Sequence, residues 1–477
     1  MCSHLRMKTH DANMVIVLKT LLKAANIAFP LLCIACPSVA LAYDFTFSAV
    51  GPNRVVSGHD IYIQELSRVT EGTTGSYAFH FVDGLPAGAT VSWPTIAAGC
   101  CGGNRSYRPE NTVLKINVPS TVATGIYPLT LRVESSDVKK AIPYQLIVEP
   151  VPGPLPKQVI SAIPPIPSLS TWESNMKTYG KRLCNGATIT SQGTWEGNVW
   201  FYDGIRVYFQ IADYTGDASW NVCAGYVENV YKPYILAASG IQGWRVFPHG
   251  LYMDYSRTGD ATSKDAAIRF STNSAYSKYG GGISSGVNDD DGLQRETAYL
   301  VHAYRIAGLM GEPKEALYAQ SVDFLLGMID QQFVSKTVSY TKPFYTGLVA
   351  EALIQYYEET KDPRIPPAIK VALDEIWSRS WIPASNSFYY DSNSSPVGSP
   401  DLNLLIAPAY AWIYKLTGDP VYQQRGDLIF QGGVKGAWLD GGKQFSQNYR
   451  WSFDYVNWRM HPDIVPPDVP KSFKTVR

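Results

Sequence analysis

Residues 287–308 read VNDDDGLQRETAYLVHAYRIAG and place four carboxylates just ahead of an apolar helical pattern. Asp289, Asp290 and Asp291 are followed by a glycine, then Gln294, Arg295 and Glu296, then an apolar run ending at Ala307. Carboxylates in a loop that opens onto a buried helix can present an acid or a base to a cleft. The same pattern also serves as a simple cap, because negative charge is favoured at a helix N-terminus. Taken alone, the stretch favours capping over chemistry. The elements that would have to position it decide the matter.

The 477 residues allow two or three domains, and 45% apolar with 17% charged residues imply a sizeable core. Lys+Arg and Asp+Glu both number 41, so no net field recruits nucleic acid or an anionic membrane. The 31 Tyr and 12 Trp suit stacking on flat apolar faces such as sugar rings, although a Tyr-rich core would use them equally well. At the N-terminus Lys19 and Lys23 precede an apolar run at 24–35, and Ala40-Leu41-Ala42 supplies a small-x-small cleavage pattern. Residues 1–42 are therefore expected to be an export signal, giving a secreted or periplasmic chain. Lipid anchoring at Cys36 is the lesser alternative, because Cys33 stands where Leu is usual. No later segment has the unbroken apolar length of a membrane span. Beyond the signal remain Cys100, Cys101, Cys184 and Cys223. Export permits disulfides, with Cys184–Cys223 and a vicinal Cys100–Cys101 pair as candidates. No His joins these cysteines at zinc-site spacing, which argues against a zinc site, and NDDDG does not complete an EF-hand loop, which leaves a Ca2+ role for Asp289–Asp291 as the lesser alternative; no metal or cofactor is expected.

Residues 44–150 have strand character: DFTFSAV, DIYIQEL, SYAFHFV, TVLKINV, YPLTLRV and YQLIVE, separated by turn formers. That is the size of an all-β sandwich. The pieces GLPAG at 84–88 and TGIYPL at 124–129 resemble the bacterial immunoglobulin-like modules appended to secreted carbohydrate-active enzymes. The resemblance implies a fold and leaves the role open between sugar binding, support and spacing; support or spacing is favoured by the lack of a clear row of exposed aromatics. Residues 151–167 are proline-rich and are expected to form an extended, semi-rigid connector.

From Ser168 the texture is helical and repetitive. Tyr214-Thr215-Gly216-Asp217 recurs as Thr258-Gly259-Asp260, Thr360-Lys361-Asp362-Pro363 and Thr417-Gly418-Asp419-Pro420, with a looser copy around Gly311-Glu312-Pro313. Gly closes one helix, Asp caps the next, and Pro fits its first turn. Six arriving helices, near 203–214, 247–257, 293–307, 344–359, 401–416 and 448–459, are apolar on most sides and so are expected to be buried. Six departing or flanking helices, near 170–184, 217–237, 260–278, 313–333, 363–380 and 420–432, are more amphipathic. The alternation resembles the (α/α)6 toroid of the six-hairpin glycosidases and related polysaccharide lyases over about 300 residues. The expected whole is an all-α toroid at 168–462 preceded by a small all-β immunoglobulin-like sandwich, with a tail at 463–477.

In such a ring the tight turns share one end and the long connections into the inner helices share the other. The latter are rich in aromatic and polar residues, which long loops on one rim commonly devote to function. Trp195, Trp200, Tyr202, Trp244, Phe247, Phe344, Tyr345, Tyr389, Tyr390, Tyr449 and Trp451 are candidates to line the mouth, each with core packing as its alternative. Glycoside hydrolysis needs two carboxyls, one protonated near neutral pH to meet the leaving oxygen. The rim offers Glu196, Asp203, Asp254, Asp289, Asp290, Asp291, Glu296, Asp391 and Asp401. Glu296, in the first turn of an inner helix, Asp203, at the start of another, and Asp291, the acidic-loop residue nearest its helix, are the favoured catalytic set. Asp254 is alternatively a structural partner of Arg257 or Arg295. Arg295 and Arg450 can orient carboxylates or grip an acidic sugar. The expected partner is thus a polysaccharide or oligosaccharide.

A lyase would use different groups: a Tyr or His base and a neutraliser for a uronate carboxylate. His249, Tyr345, Asn448, Tyr449 and Arg450 supply those types on the same rim, whereas His302 falls mid-helix and is expected in the core. Hydrolysis is preferred because the rim is rich in carboxylates and carries only His249 as an imidazole. A non-catalytic glycan-binding envelope protein is the third reading. The chain has no phosphate-binding glycine loop, nucleophile elbow or zinc-protease motif.

Overall fold

The computed structural model describes residues 44–50, 53–71, 78–93, 105–106, 112–134, 138–160, 162–186, 189, 200–277, 292–393 and 397–463. The expected export signal, Cys100, Cys101, Trp195, Glu196, the triplet Asp289–Asp291 and the tail beyond 463 lie outside the described residues.

The N-terminal strands are β1 (Asp44–Val50), β2 (Arg54–Val56), β3 (Asp60–Glu71), β4 (Ala78–Asp83), β5 (Thr90–Ser92), β6 (Arg105–Ser106), β7 (Thr112–Asn117), β8 (Gly125–Glu134) and β9 (Lys139–Glu149). They form one sheet in the order β1-β3-β7-β5 and another in the order β2-β9-β8-β4-β6. Pairing is antiparallel except between β2 and β9. Side chains two apart in each strand share a face, so Ile61 and Ile63, Leu114 and Ile116, Leu129 and Leu131, and Leu146 and Val148 meet in one core between the sheets.

The proline-rich segment after β9 has no regular structure, yet it is anchored. Ile160 and Ile166 are buried in the helical core, and the Gln158 N–H donates to the Thr417 carbonyl at 2.6 Å. The sandwich leans on the outside of the helical ring. His59 Nε2 lies 3.8 Å from Asp362 Oδ1, and Arg54 Nε lies 3.9 Å from Asp330 Oδ1.

The helices are α1 (Leu169–Leu183), α2 (Gly204–Thr215), α3 (Trp220–Ala237), α4 (His249–Thr258), α5 (Ala261–Asn273), α6 (Gly292–Leu309), α7 (Glu315–Ile329), α8 (Pro343–Thr360), α9 (Ile365–Ser380), α10 (Ala407–Thr417), α11 (Pro420–Gly436), α12 (Gly442–Tyr449) and α13 (Ser452–Met460). A two-stranded ribbon, β10 (Trp381–Ile382) with β11 (Ser387–Phe388), follows α9. Helices α2, α4, α6, α8, α10 and the pair α12–α13 pack side by side, and α12 returns to α2, which closes the ring. α8 is buried at every position from Pro343 to Ile354, as its all-round apolar sequence requires. α1, α3, α5, α7, α9 and α11 form the outer layer. A Cys184–Cys223 disulfide joins the end of α1 to α3.

Three details differ from expectation. The sixth inner element is not one helix over 448–459 but two short ones that break at Arg450-Trp451. The fifth starts as a 3-10 segment, Pro400–Leu405, before α10. Asp254 has neither Arg257 nor Arg295 as partner: it accepts from the Ser263 hydroxyl at 2.6 Å, while Arg257 pairs with Asp213 at 2.7 Å.

Four turns joining inner to outer helices repeat one hydrogen-bond set. Thr215, Thr258, Thr360 and Thr417 each donate the hydroxyl to the carbonyl one turn back, at 2.7–2.9 Å. The same hydroxyls accept the N–H of Asp217, Asp260, Asp362 and Asp419. Each Asp then accepts from the N–H two residues on. The intervening residue is left-handed, with φ of 69°, 74°, 56° and 72°; glycine adopts this freely at three of the positions, and Lys361 occupies the fourth.

Candidate active site

The mouth of the ring is organised around Asp203, the residue before α2. Tyr202 and Asp203 both adopt left-handed backbone, φ 58° and 64°, which non-glycine residues hold only where surrounding contacts enforce it. The Asp203 carboxylate accepts from the Arg206 N–H of its own helix at 3.3 Å and from the Gly250 N–H of α4 at 3.1 Å. One side chain therefore caps two inner helices. The approach is close enough to demand glycine at 250, where a Cβ would stand 2.4 Å from Ile205 Cβ and 2.6 Å from Asp203 Oδ1. Asp203 is 2% exposed. Burial pushes its carboxyl up to about 6, against the opposing pull of Arg206, Arg450 and the two N–H groups.

Beneath it lies a buried ionic lattice. Glu351, mid-way along α8 and 0% exposed, accepts from Arg206 Nη1 on one oxygen and from Arg450 Nη2 on the other, both at 2.7 Å. Burial alone would raise the Glu351 carboxyl, but Arg450 and Arg206 together outweigh it and hold it below the ordinary range. Arg206 also reaches Asp454 of α13 at 3.4 Å. Enclosure pushes the Asp454 carboxyl up to about 6, with Arg206 pulling the other way and Glu351 adding to the rise. His249 and His302 share Gln355 Oε1, at 3.0 and 3.1 Å. His249 Nδ1 stands 3.9 Å from Asp203 Oδ2, and His302 Nε2 stands 3.9 Å from Glu351 Oε2. Burial is the main cause that holds both imidazoles neutral, His302 down to about 3.

The opposite side comes from α6. Arg295 Nη2 donates to Glu296 Oε1 at 3.3 Å, and its guanidinium lies 5.3 Å from the Tyr345 ring centroid. The half-buried Glu296 carboxylate packs on the backbone of Gly243, where a Cβ would be 2.3 Å from Oε2. Tyr202 and Tyr299 lie within electrostatic reach of both Arg295 and Arg450, and burial raises both phenols, Tyr299 to about 12. Arg450 also faces the Tyr299 ring at 5.6 Å.

The sequence-predicted residues divide by place. Asp203, Tyr202, His249, Arg295, Glu296, Tyr345 and Arg450 come together around the mouth. Trp200 is packed in the wall, stacked on Tyr231 at 5.1 Å. Tyr449 is also a wall residue, its hydroxyl donating to the Trp172 carbonyl of α1 at 2.9 Å. Asn448 is buried, its amide donating to the Gln444 carbonyl. Trp244 is half-buried, with the Arg245 guanidinium 4.5 Å from its ring. Tyr389 is half-buried and takes part in the chain pairing with Gly398. Trp195 and Asp291 lie outside the described residues. Glu351, Arg206, Tyr299 and Asp454 were missed. The available signal for Glu351 was its standing as the one charge in the apolar stretch TGLVAEALIQYY. Trp438, 58% exposed on the connection between α11 and α12, was missed as well.

Two other features carry less chemistry. A cavity of about 670 Å³ between the sandwich and α7–α9 is lined by Arg54, Asp323 and Arg364, but Arg364 Nη1 already donates to Asp323 at 2.8 Å. Glu228, Asp254 and Asp260 converge near the turn end, where the Lys232 ammonium and the Ser263 hydroxyl sit among them. Among the described residues no helix is long and apolar enough to cross a membrane.

No protein-family model matches the chain, and no curated protein matches its sequence. Among solved structures it is similar to an unsaturated glucuronyl hydrolase specific for heparin, at 9% identity and TM-score 0.48, over 62% of this chain and 100% of that one. It is similar to a D-mannose isomerase at 13% identity and TM-score 0.45, again over 62% of this chain and 100% of that one. It is also similar to a family 76 glycoside hydrolase from a bovine Bacteroides thetaiotaomicron strain, at 9% identity and TM-score 0.32, over 87% of this chain and 89% of that one.

Proposed function

We propose that the chain is a carbohydrate-active enzyme that hydrolyses glycosidic bonds of a polysaccharide or oligosaccharide. The observation that carries this reading is the Asp203 carboxyl, buried at the mouth and pushed up to about 6; a second carboxylate, Glu296, stands at the start of another inner helix beside Arg295. A carboxyl raised into this range holds a proton near neutral pH and gives it up readily. In this reading Asp203 protonates the leaving-group oxygen. Glu296, which accepts from Arg295, serves the anomeric carbon, either by activating water or by direct attack. Asp291 remains the third member of the set. Tyr202, Tyr299 and Tyr345 offer faces and hydroxyls to a sugar.

The test is turnover on a broad panel of glycans with Asp203→Asn, Glu296→Gln and Asp291→Asn. Loss of a general acid is expected to cost about 10²- to 10⁴-fold in kcat. Undiminished turnover in all three variants would refute the assignment, and no turnover by the wild type on any glycan would favour a binding protein.

One observation favours β-elimination as the second reading: Arg450 and Arg295 could neutralise a uronate carboxylate while neutral His249 takes the proton. The raised phenols of Tyr202 and Tyr299 weigh against a tyrosine base. Ultraviolet absorption from an unsaturated product would select elimination. We read the N-terminal sandwich as an immunoglobulin-like support, consistent with its polar contacts to Asp330, just after α7, and to Asp362 of the turn before α9. Export is supported by the leader-like residues 19–42 and by the Cys184–Cys223 disulfide, which suits an oxidising compartment.

A further inference from the structure

We propose that the sugar bound at the mouth carries a carboxylate, and that Arg450 and Arg295 receive it; this rests on the reading of the mouth as a glycan site. Arg450 is 2% exposed and has five N–H donors to satisfy. Nη2 donates to Glu351, whereas Nε and Nη1 have no hydrogen-bond partner among the described residues. The Tyr299 ring face at 5.6 Å is a weak substitute for an acceptor. Arg295, on α6 across the ring, repeats the pattern: Nη2 is engaged by Glu296, and Nε is buried without a partner among the described residues. A buried donor left unmet costs about 1–3 kcal/mol, more when it is charged, so two such guanidiniums, both within electrostatic reach of Tyr202 and Tyr299, call for an acceptor from outside.

Among the described residues the surroundings do not supply that acceptor. Both oxygens of Glu351 are already engaged, one by Arg206 and one by Arg450. Both oxygens of Asp203 accept backbone N–H. His249 and His302 are neutral and turned to Gln355. Tyr202 and Tyr299, which lie near both arginines, are neutral phenols. Lys342 adds a further cation to this side, 5.1 Å from the Tyr345 ring centroid. Among the described residues, the guanidiniums of Arg206, Arg295 and Arg450 are paired with the carboxylates of Glu351, Asp454 and Glu296. A sugar carboxylate placed between Arg450 and Arg295 would fill the unmet donors. A neutral sugar would leave them unmet.

The experiment compares matched ligands on the full chain. Oligosaccharides from alginate, polygalacturonate, hyaluronate and glucuronoxylan are titrated by calorimetry, each in native form and after carboxyl reduction to the neutral alcohol. Neutral mannan and glucan oligomers and a sulfated galactan complete the set. The expected result is at least one uronate that binds tenfold or more tightly than its reduced form, with affinity falling as salt rises. Arg295→Met should bring that ratio close to one. Arg450→Lys, which keeps the charge beside Glu351, should lower it partway. Equal or tighter binding of reduced or neutral oligomers overturns this inference and leaves the glycan reading standing. Preference for the sulfated galactan over every uronate overturns the carboxylate. Failure of every glycan to bind overturns both.

Discussion

The two ends of the helical ring solve the same problem in opposite ways. At the turn end, four connections satisfy the helix termini with one local device: a Thr hydroxyl, a left-handed residue and a capping Asp, all within five residues. At the mouth, the residues preceding α4, α8 and α10 offer those helices no side-chain cap of their own. There Asp203 caps α2 and also takes the Gly250 N–H of α4, 47 residues away, and Glu351 binds Arg206 and Arg450 at separations of 145 and 99 residues. The turn end is repetitive and self-sufficient. The mouth is irregular and crosses the whole chain, and among the described residues Arg450 Nε and Nη1 and Arg295 Nε find no hydrogen-bond partner there. Polar groups satisfied locally specify a fold; polar groups held by distant partners and left short of one are those with capacity for a ligand.

This contrast can be broken by mutation. Glu351→Gln should have the largest effect on stability. It leaves Arg206 and Arg450 buried against a neutral amide, and breaking such a pair costs about 3–5 kcal/mol. Urea unfolding would measure it; a change within the scatter of surface substitutions would show that the lattice is not what holds the mouth. Gly250→Ala should come next, losing about 1–3 kcal/mol because the new methyl has no room beside Ile205 and Asp203. It should also lower turnover by displacing Asp203, and an unchanged kcat would separate that contact from function. At the turn end, Thr258→Val should cost only about 1 kcal/mol, for two lost local hydrogen bonds, with turnover unchanged. A large loss of activity in Thr258→Val would mean that the two ends are not independent.

Sequence reading went furthest where the physics is local. The Thr-Gly-Asp repeats and the all-round apolar runs placed six inner and six outer elements close to where they occur, although the Thr hydroxyl's double role was overlooked. It went least far where side chains answer to distant partners. Trp200 and Tyr449 have the composition of a sugar platform, and only the fold shows that Tyr231 and Trp172 already occupy them. Asp203 was legible as a residue at the start of an inner helix. Its raised carboxyl was not, because burial by the rest of the ring cannot be counted from neighbours in sequence. Glu351 lay hidden inside a run that looks purely structural.

The raised carboxyl also fixes a sign. Asp203 ionises near 3.8 when unfolded and near 6 when folded, so its contribution to stability is fully present below pH 3.8 and is lost as pH rises through 6. Asp203→Asn should therefore melt higher than the wild type at pH 7.5 and show no such gain at pH 3.5, while losing turnover at both.

The central claim is that Asp203 donates the proton, and the pH dependence of kcat/KM on a cleaved glycan tests it most directly. The expected profile falls on the alkaline side with an apparent pKa near 6, as the folded carboxyl ionises. The residual turnover of Asp203→Asn should lack that limb. A wild-type profile flat from pH 5 to 8, or an alkaline limb that persists unchanged in Asp203→Asn, would contradict the account.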